Sequence, residues 1–209
     1  MNMKRALVAL LAVAALAAAQ NRKLHKLERV DYTVADFDAS GYILDIGGGG
    51  EGIIGRMKPQ QVVAIDLYKE ELLQAPPGFL KIVMDASDMK FVDATFDTAT
   101  AFFSLMYMKP GVQEKVFAET FRVLKPGGRF LIWDAVIPTK FVPDTEGIVF
   151  YFTFKLPKET VRTGYGTMWP ERPYDVAHYR ALARKAGFTV VSDAAGANTR
   201  TFTMELRKP

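Results

Sequence analysis

Ten residues constrain this chain more than any others: Ile43-Leu44-Asp45-Ile46-Gly47-Gly48-Gly49-Gly50-Glu51-Gly52. An apolar run of strand length enters four glycines and leaves toward a helix that begins near Ile53. Glycine tolerates positive φ and lets a ligand approach the backbone, and the helix that follows presents unpaired N–H groups. A strand, glycine turn and helix in this order belong to an open α/β sheet, where ligands bind outside the carboxyl ends of the strands. Gly47, Gly49 and Gly52 also fit G-x-G-x-x-G, the dinucleotide spacing, so the glycines alone do not select the ligand.

The rest of the chain supports the same architecture. Apolar runs alternate with helical patterns, which predicts βαβ units and a mostly parallel, doubly wound sheet. Strands are expected at Tyr42–Ile46, Val62–Ile65, Lys81–Met84, Thr98–Leu105 and Arg129–Val136. Helices are expected at Lys69–Gln74, stopped by Pro76-Pro77, and at Val112–Leu124, where Val112, Val116, Phe117, Phe121 and Leu124 recur at helical spacing. Pro126-Gly127-Gly128 is expected to end that helix and turn the chain. A last helix over Asp175–Ala186 precedes Phe188–Val191 and a closing strand at Thr201–Leu206. Residues 138–173 break the alternation. Ile148–Lys155 and Thr160–Gly166 read as a β-hairpin inserted after strand five.

Three carboxylates narrow the ligand. Asp45 precedes Gly47 by two residues, where it suits an ammonium group and would repel a pyrophosphate. Asp66 ends strand two, placed to grip ribose hydroxyls, and Asp85 ends strand three, placed to accept from an adenine amino group. Singly, each is an ordinary turn or cap residue. Together, at the ends of three adjacent strands, they suit a cationic nucleoside.

At this point the chain resembles the class I S-adenosylmethionine-dependent methyltransferases, in the broad group with D-x-G-x-G at strand one. The resemblance runs from about Tyr42 to Asp134 through five elements in order: Asp45-Ile46-Gly47-Gly48-Gly49, Val63-Ala64-Ile65-Asp66, Asp85-Ala86, Phe96-Asp97 and Arg122-Val123-Leu124-Lys125-Pro126-Gly127-Gly128. It implies S-adenosylmethionine as cofactor. Asp45 and Gly47 to Gly49, with Gly48 between, would hold its methionine part, Asp66 and Leu67 the ribose, and Asp85 and Ala86 the adenine. Phe102 would line the cleft. One departure stands out: Glu51 occupies the last glycine of the family's D-x-G-x-G-x-G, with Gly52 one step later.

Composition removes other chemistries. With no cysteine there is no disulfide, thiolate metal site or cysteine nucleophile, and His25 and His178 alone cannot build a multi-histidine metal site. The net charge of +4 is carried by the first thirty residues, where Lys4, Arg5, Arg22, Lys23, Lys26 and Arg29 face a single acid, Glu28. The remainder is close to neutral, which argues against a nucleic-acid partner. Basic residues flank the apolar run Ala6–Ala19, as in membrane-proximal segments. Residues 1–30 are therefore read as a tether or signal segment and residues 31–209 as the methyltransferase domain. Ala17-Ala18-Ala19 supplies a cleavage site for the signal reading. The need for a cytosolic cofactor favours an apolar N-terminal helix anchored in a membrane, with the domain in the cytosol; a helix packed on the domain is the third option.

Two rival functions follow. Tyr151 and Lys155 form the Y-x-x-x-K of short-chain dehydrogenases, which would make the chain an NAD(P)-dependent oxidoreductase; the β-prone context places them in a strand instead. A non-catalytic cofactor-binding module is the other. For methyl transfer to a small-molecule acceptor, the candidate contacts are Tyr107, beyond strand four, and Tyr165 and Trp169 in the insert, where Gly164–Pro170 reads as a lid over an apolar acceptor. Asp134 reads as a strand-end turn residue and His178 as a surface residue. No catalytic residue and no oligomeric state are assigned.

Overall fold

The computed structural model describes residues 22–196 and 200–209. The chain divides into two compact units, Met1–Ala35 with Pro138–Glu171, and Asp36–Ile137 with Arg172–Pro209.

The larger unit is built on seven strands: β3 (Ile43–Ile46), β4 (Val62–Asp66), β5 (Leu80–Val83), β6 (Phe96–Phe102), β7 (Leu124–Ala135), β10 (Thr189–Ala195) and β11 (Thr201–Arg207), in the order β10-β11-β7-β6-β3-β4-β5. The five strands β5, β4, β3, β6 and β7 run parallel, and β11 is antiparallel to both β7 and β10. This is a Rossmann-like sheet with a reversed strand beside its last parallel strand. Ile43, Leu44, Ile46, Ala64 and Ile65 are fully buried, as expected of strands covered on both faces.

Among the described residues four α-helices accompany the sheet: α1 (Ile53–Met57), α2 (Lys69–Gln74), α3 (Pro110–Val123) and α4 (Val176–Ala186). Pro110 starts α3, where its missing N–H costs nothing. Asp175 caps α4 by accepting from the His178 N–H at 2.9 Å, and Gly187 ends that helix at φ 100°. The two longer helices meet through Phe117 and Tyr179, stacked at 6.4 Å. They reach the sheet through Phe117 against Phe130 and Tyr179 against Phe202.

Two expected boundaries shift for identifiable reasons. Strand β6 ends at Phe102 because Phe103 takes φ 49° and a 3-10 turn follows at Leu105–Tyr107. Pro126-Gly127-Gly128 does not separate helix from strand. The helix stops at Val123, Leu124 already pairs with Phe96, and the Pro-Gly-Gly segment is a kink within β7 where Gly127 N–H donates to the Lys208 carbonyl.

The smaller unit centres on β8 (Gly147–Lys155), paired antiparallel with β9 (Thr160–Met168), so the inserted hairpin is present. It is not alone. Leu24–Lys26 (β1) and Val30–Thr33 (β2) both add to β8 in parallel, so part of the basic flank belongs to this sheet. Arg29, between them, donates to the carbonyls of Phe152 and Thr163, the latter at 3.1 Å. Phe150, Phe152 and Phe154 share one face and are buried, with Tyr32 and Tyr165 against them. The expected lid is a regular strand as far as Met168; only Trp169 and Pro170 leave it.

The apolar run at residues 6–19 lies outside the described residues. Among the described residues no helix is long and apolar enough to cross a membrane.

Candidate active site

The glycine turn folds as it does because β6 and α2 leave no room for side chains. Gly47 sits at φ 70° and donates to the Ile65 carbonyl at 2.8 Å; a Cβ there would lie 2.5 Å from Ser104 Cβ. Ser104 is fixed in turn, donating to the Ile46 carbonyl at 2.6 Å. At Gly49 a Cβ would lie 2.6 Å from Glu71 Cβ and 2.8 Å from Asp66 Oδ2. Gly50 N–H donates to the Glu71 carbonyl at 2.8 Å, which joins the turn to α2. The result is a bare backbone cradle at the carboxyl ends of β3 and β4, which fits a ligand held by main-chain contacts.

The carboxylates around it are unequal. Asp45 is 2% exposed, lies beneath Gly48 and accepts from Thr100 Oγ1 at 2.7 Å. Burial pushes its pKa up to about 7, the Thr100 hydrogen bond opposes that, and the charge of Asp66 adds to it. Asp66 is half-buried and accepts from the backbone N–H groups of Gly49, Leu67 and Tyr68, the last at 3.0 Å; burial still raises its pKa. Glu71 is raised by burial and then by the charges of Asp66, Glu51 and Glu70. Four acids, Asp45, Asp66, Glu71 and Glu51, thus bear on one glycine turn. A pyrophosphate would meet repulsion from all of them, whereas a cationic nucleoside would not.

Asp85 stands apart. It is exposed and accepts from the Ser87 N–H at 2.8 Å just beyond β5, a local turn that holds its pKa below the usual carboxylate range. Ala86 is half-buried in the same turn, and Leu67 is more than half exposed immediately after Asp66. Phe102 is buried against Phe103 and Trp133. Asp45, Gly47, Gly48, Gly49 and Asp66 are therefore brought together at one turn, with Leu67 beside it, while Asp85 and Ala86 occupy a neighbouring loop.

Beyond β6, Tyr107 is half exposed; desolvation, then the charges of Glu51, Asp134 and Glu71, raise its pKa. Tyr107 is thus within electrostatic reach of Glu51 and Glu71. Tyr165 and Trp169 belong to the smaller unit, where Tyr165 packs on Phe152 and Phe154 and Trp169 Nε1 donates to Thr145 at 3.0 Å.

Two sequence readings are corrected. Asp134 is no solvated turn residue: it is fully buried, its pKa is pushed up to about 7 by burial, and it accepts from the N–H groups of Ala135, Met106 and Leu105. His178 is half-buried and bonded to Gln113 at 2.7 Å. As their β-prone context predicts, Tyr151 and Lys155 share β8, Tyr151 beneath Arg29 and Lys155 paired with Asp31 at 2.9 Å, and form no helical Y-x-x-x-K dyad. Thr100, Ser104, Glu71 and Gln113 were not singled out from sequence. Thr100 was within reach, because pairing strand one with strand four sets it opposite Asp45. Among the described residues no group of His, Asp or Glu could hold a metal ion.

Part of this chain is similar to known proteins. Residues 44–132 match the family model described as Methyltransferase domain. The chain is 40% identical over 65 residues to the sterol 4-C-methyltransferase strm-1 of Caenorhabditis elegans, covering 31% of this chain and 19% of that protein. It is 31% identical over 127 residues to the ubiquinone/menaquinone biosynthesis C-methyltransferase UbiE of Desulfotalea psychrophila, covering 56% of this chain and 50% of that protein. The matched stretch spans half or less of each relative. A solved S-adenosylmethionine-dependent methyltransferase from Methanosarcina mazei shares the fold, with a TM-score of 0.57, 18% identity, and 82% of this chain and 94% of that one covered. The matched segment lies within the larger unit. Residues 44–132 are thus similar to a methyltransferase domain, and the sheet that holds them shares the fold of a protein whose cofactor is S-adenosylmethionine.

Proposed function

We propose that this chain transfers a methyl group from S-adenosylmethionine to an uncharged, apolar small-molecule acceptor. The observation that carries the reading is the side-chain-free glycine cradle ringed by Asp45, Asp66, Glu71 and Glu51, an environment for a cation bound through backbone. Asp45 and the cradle hold the amino-acid end, Asp66 the ribose, and Leu67, Asp85 and Ala86 the base. Phe102 closes the cleft wall.

When bound, the cofactor supplies an electrophilic methyl carbon on a sulfonium. An electron pair of the acceptor forms the new bond to that carbon as the carbon–sulfur bond breaks; the bonding pair stays on sulfur, and any displaced acceptor proton leaves to solvent or a base. Such an in-line displacement depends mainly on positioning. Tyr107 orients the acceptor. Asp134 is no candidate for the base, since three backbone N–H groups engage its carboxylate. The acidic surroundings disfavour an anionic acceptor, in keeping with the sterol and quinone pathways named for the two relatives.

The apolar run at residues 6–19 suits a membrane tether that keeps the domain in the cytosol, near a lipid-soluble acceptor. N-terminal sequencing of protein from its native host, with protease protection of the domain, distinguishes a retained tether from a chain cut after Ala19.

Calorimetry on the full chain tests the cofactor: S-adenosylmethionine and its demethylated product bind, and NAD and NADP do not. Tritiated methyl transfer to a panel of sterols, quinols and anionic phenolic acids tests the acceptor. Labelling of the acids alone would overturn its class.

A further inference from the structure

The turn that presents Tyr107 is gripped from both sides by buried side chains. On one side Asp134 accepts the N–H groups of Leu105 and Met106, the latter at 3.1 Å. On the other, the fully buried Gln113 of α3 donates through Nε2 to the Leu105 carbonyl at 3.0 Å. A carbonyl only accepts, so that bond fixes the amide's orientation and turns Gln113 Oε1 toward His178. His178 Nε2 lies 2.7 Å from that oxygen and must therefore carry the hydrogen. Burial, then the nearby Arg172, hold the imidazole pKa down against the opposing charge of Asp175, so the neutral tautomer with Nε2–H suffices.

We propose that His178 is a positioning residue for Tyr107, acting through the Gln113 amide and the Leu105 carbonyl. The inference rests on Tyr107 facing the acceptor, as proposed above, but the linkage itself is a property of the chain. Its parts are individually unremarkable in sequence: a glutamine on one helix, a histidine in the first turn of another, and a 3-10 turn between a strand and a helix. Without the His178 donor, Gln113 Oε1 would be a buried acceptor lacking its partner, and the amide would gain by turning away from Leu105. Tyr174, stacked on His178 at 5.0 Å and paired through its backbone with Ile137, holds the imidazole at the point where the chain returns to the larger unit.

Two substitutions separate hydrogen bonding from packing. His178→Phe keeps a ring for Tyr174 and removes the donor; His178→Gln restores a donor without the ring. In the full chain carrying 3-fluorotyrosine at position 107 alone, fluorine NMR of the wild type should give one narrow resonance. His178→Phe should shift or split it and His178→Gln should return it, while affinity for S-adenosylhomocysteine stays within about twofold. With a methyl acceptor in hand, His178→Phe should lower kcat about tenfold, as expected for lost orientation. In a Tyr107→Phe background it should have no further effect. A Tyr107 resonance indifferent to His178→Phe, or equal loss of cofactor binding in both His178 variants, overturns the proposal. Failure of the wild type to bind S-adenosylhomocysteine is a different result, and counts against the cofactor reading.

Discussion

Asp45 Oδ1 and Thr100 Oγ1 lie 2.7 Å apart across the neighbouring strands β3 and β6, with no exposed atom of Thr100 between them and solvent. That hydroxyl is the counterweight that keeps the buried carboxyl ionisable near neutrality. Binding of a ligand ammonium needs the anion, so affinity for S-adenosylmethionine should rise between pH 6 and pH 8 around the Asp45 value of about 7. Thr100→Val should move this rise to higher pH. Calorimetric titrations at several pH values check it, and a flat profile would show that Asp45 does not meet the ligand as a charge.

Asp45 and Asp134 also bear on stability, with the opposite sense. Both have folded-state values of about 7 against an ordinary 3.8, so between those limits the folded chain holds protons that the unfolded chain has released. Stability without cofactor should therefore fall as pH climbs from 4 toward 7. Asp134→Asn removes one of the two groups while keeping an acceptor for the Leu105 and Met106 N–H groups. Its melting temperature should decline less steeply than wild type over pH 5–7.5; parallel curves would rule out the protonation.

Gly47→Ala should be among the more damaging single-methyl changes in the chain. The new Cβ meets Ser104 Cβ at 2.5 Å and must be borne at φ 70°. A cost of about 1–3 kcal/mol is expected from strain at such a site. Denaturant titration measures it, and Gly47→Ala combined with Ser104→Gly should recover the clash but not the backbone share.

Asp66→Asn retains an acceptor for the surrounding N–H groups and removes charge. Affinity for S-adenosylmethionine should fall by about 1–3 kcal/mol, the range for charge-assisted hydrogen bonds, with melting temperature nearly unchanged. An unaltered affinity in the folded variant would refute the ribose role.

Arg122→Lys should be costly, although both residues are basic. The guanidinium reaches Glu119, Asp93 and the carbonyls of Met89 and Phe91 at 2.7–2.9 Å, tying the segment before β6 to α3. One ammonium cannot make that set of planar contacts. Faster proteolysis within residues 85–95 is expected, with cleavage elsewhere unchanged.

The parts legible in sequence are those fixed by local pattern. The glycine turn, the boundaries of Lys69–Gln74 and the parallel strands follow from apolar period and glycine placement, and the hairpin from its β-branched and aromatic runs. What escaped depends on distant partners. Leu24–Lys26 and Val30–Thr33 are too short to announce themselves, and they are strands only because β8, more than a hundred residues away, accepts them. Asp134 reads as a turn residue because nothing local shows that the turn at Leu105–Tyr107 folds back to it. His178 reads as surface because its partner, Gln113, looks like any polar helix residue. The motifs of the family located the cradle, whereas Glu71 bears on it solely through the way α2 crosses the turn.

The pairing of β1 and β2 with β8 has a consequence for how the polypeptide is made. When residues 24–33 leave the ribosome, the strand they will join does not yet exist; the entire run from Asp36 to Ile137 must be synthesised first. Until then these short strands wait with open edges, and the smaller sheet closes late, through contacts of long sequence separation. Trimming the chain at residue 31 to remove the apolar run would carry β1, Arg29 and the first residue of β2 away with it, and would leave Gly147–Phe152 of β8 without these partners. A version without residues 6–19 is better begun at Arg22, and a variant begun at residue 31 should aggregate on storage even where its cofactor site is intact.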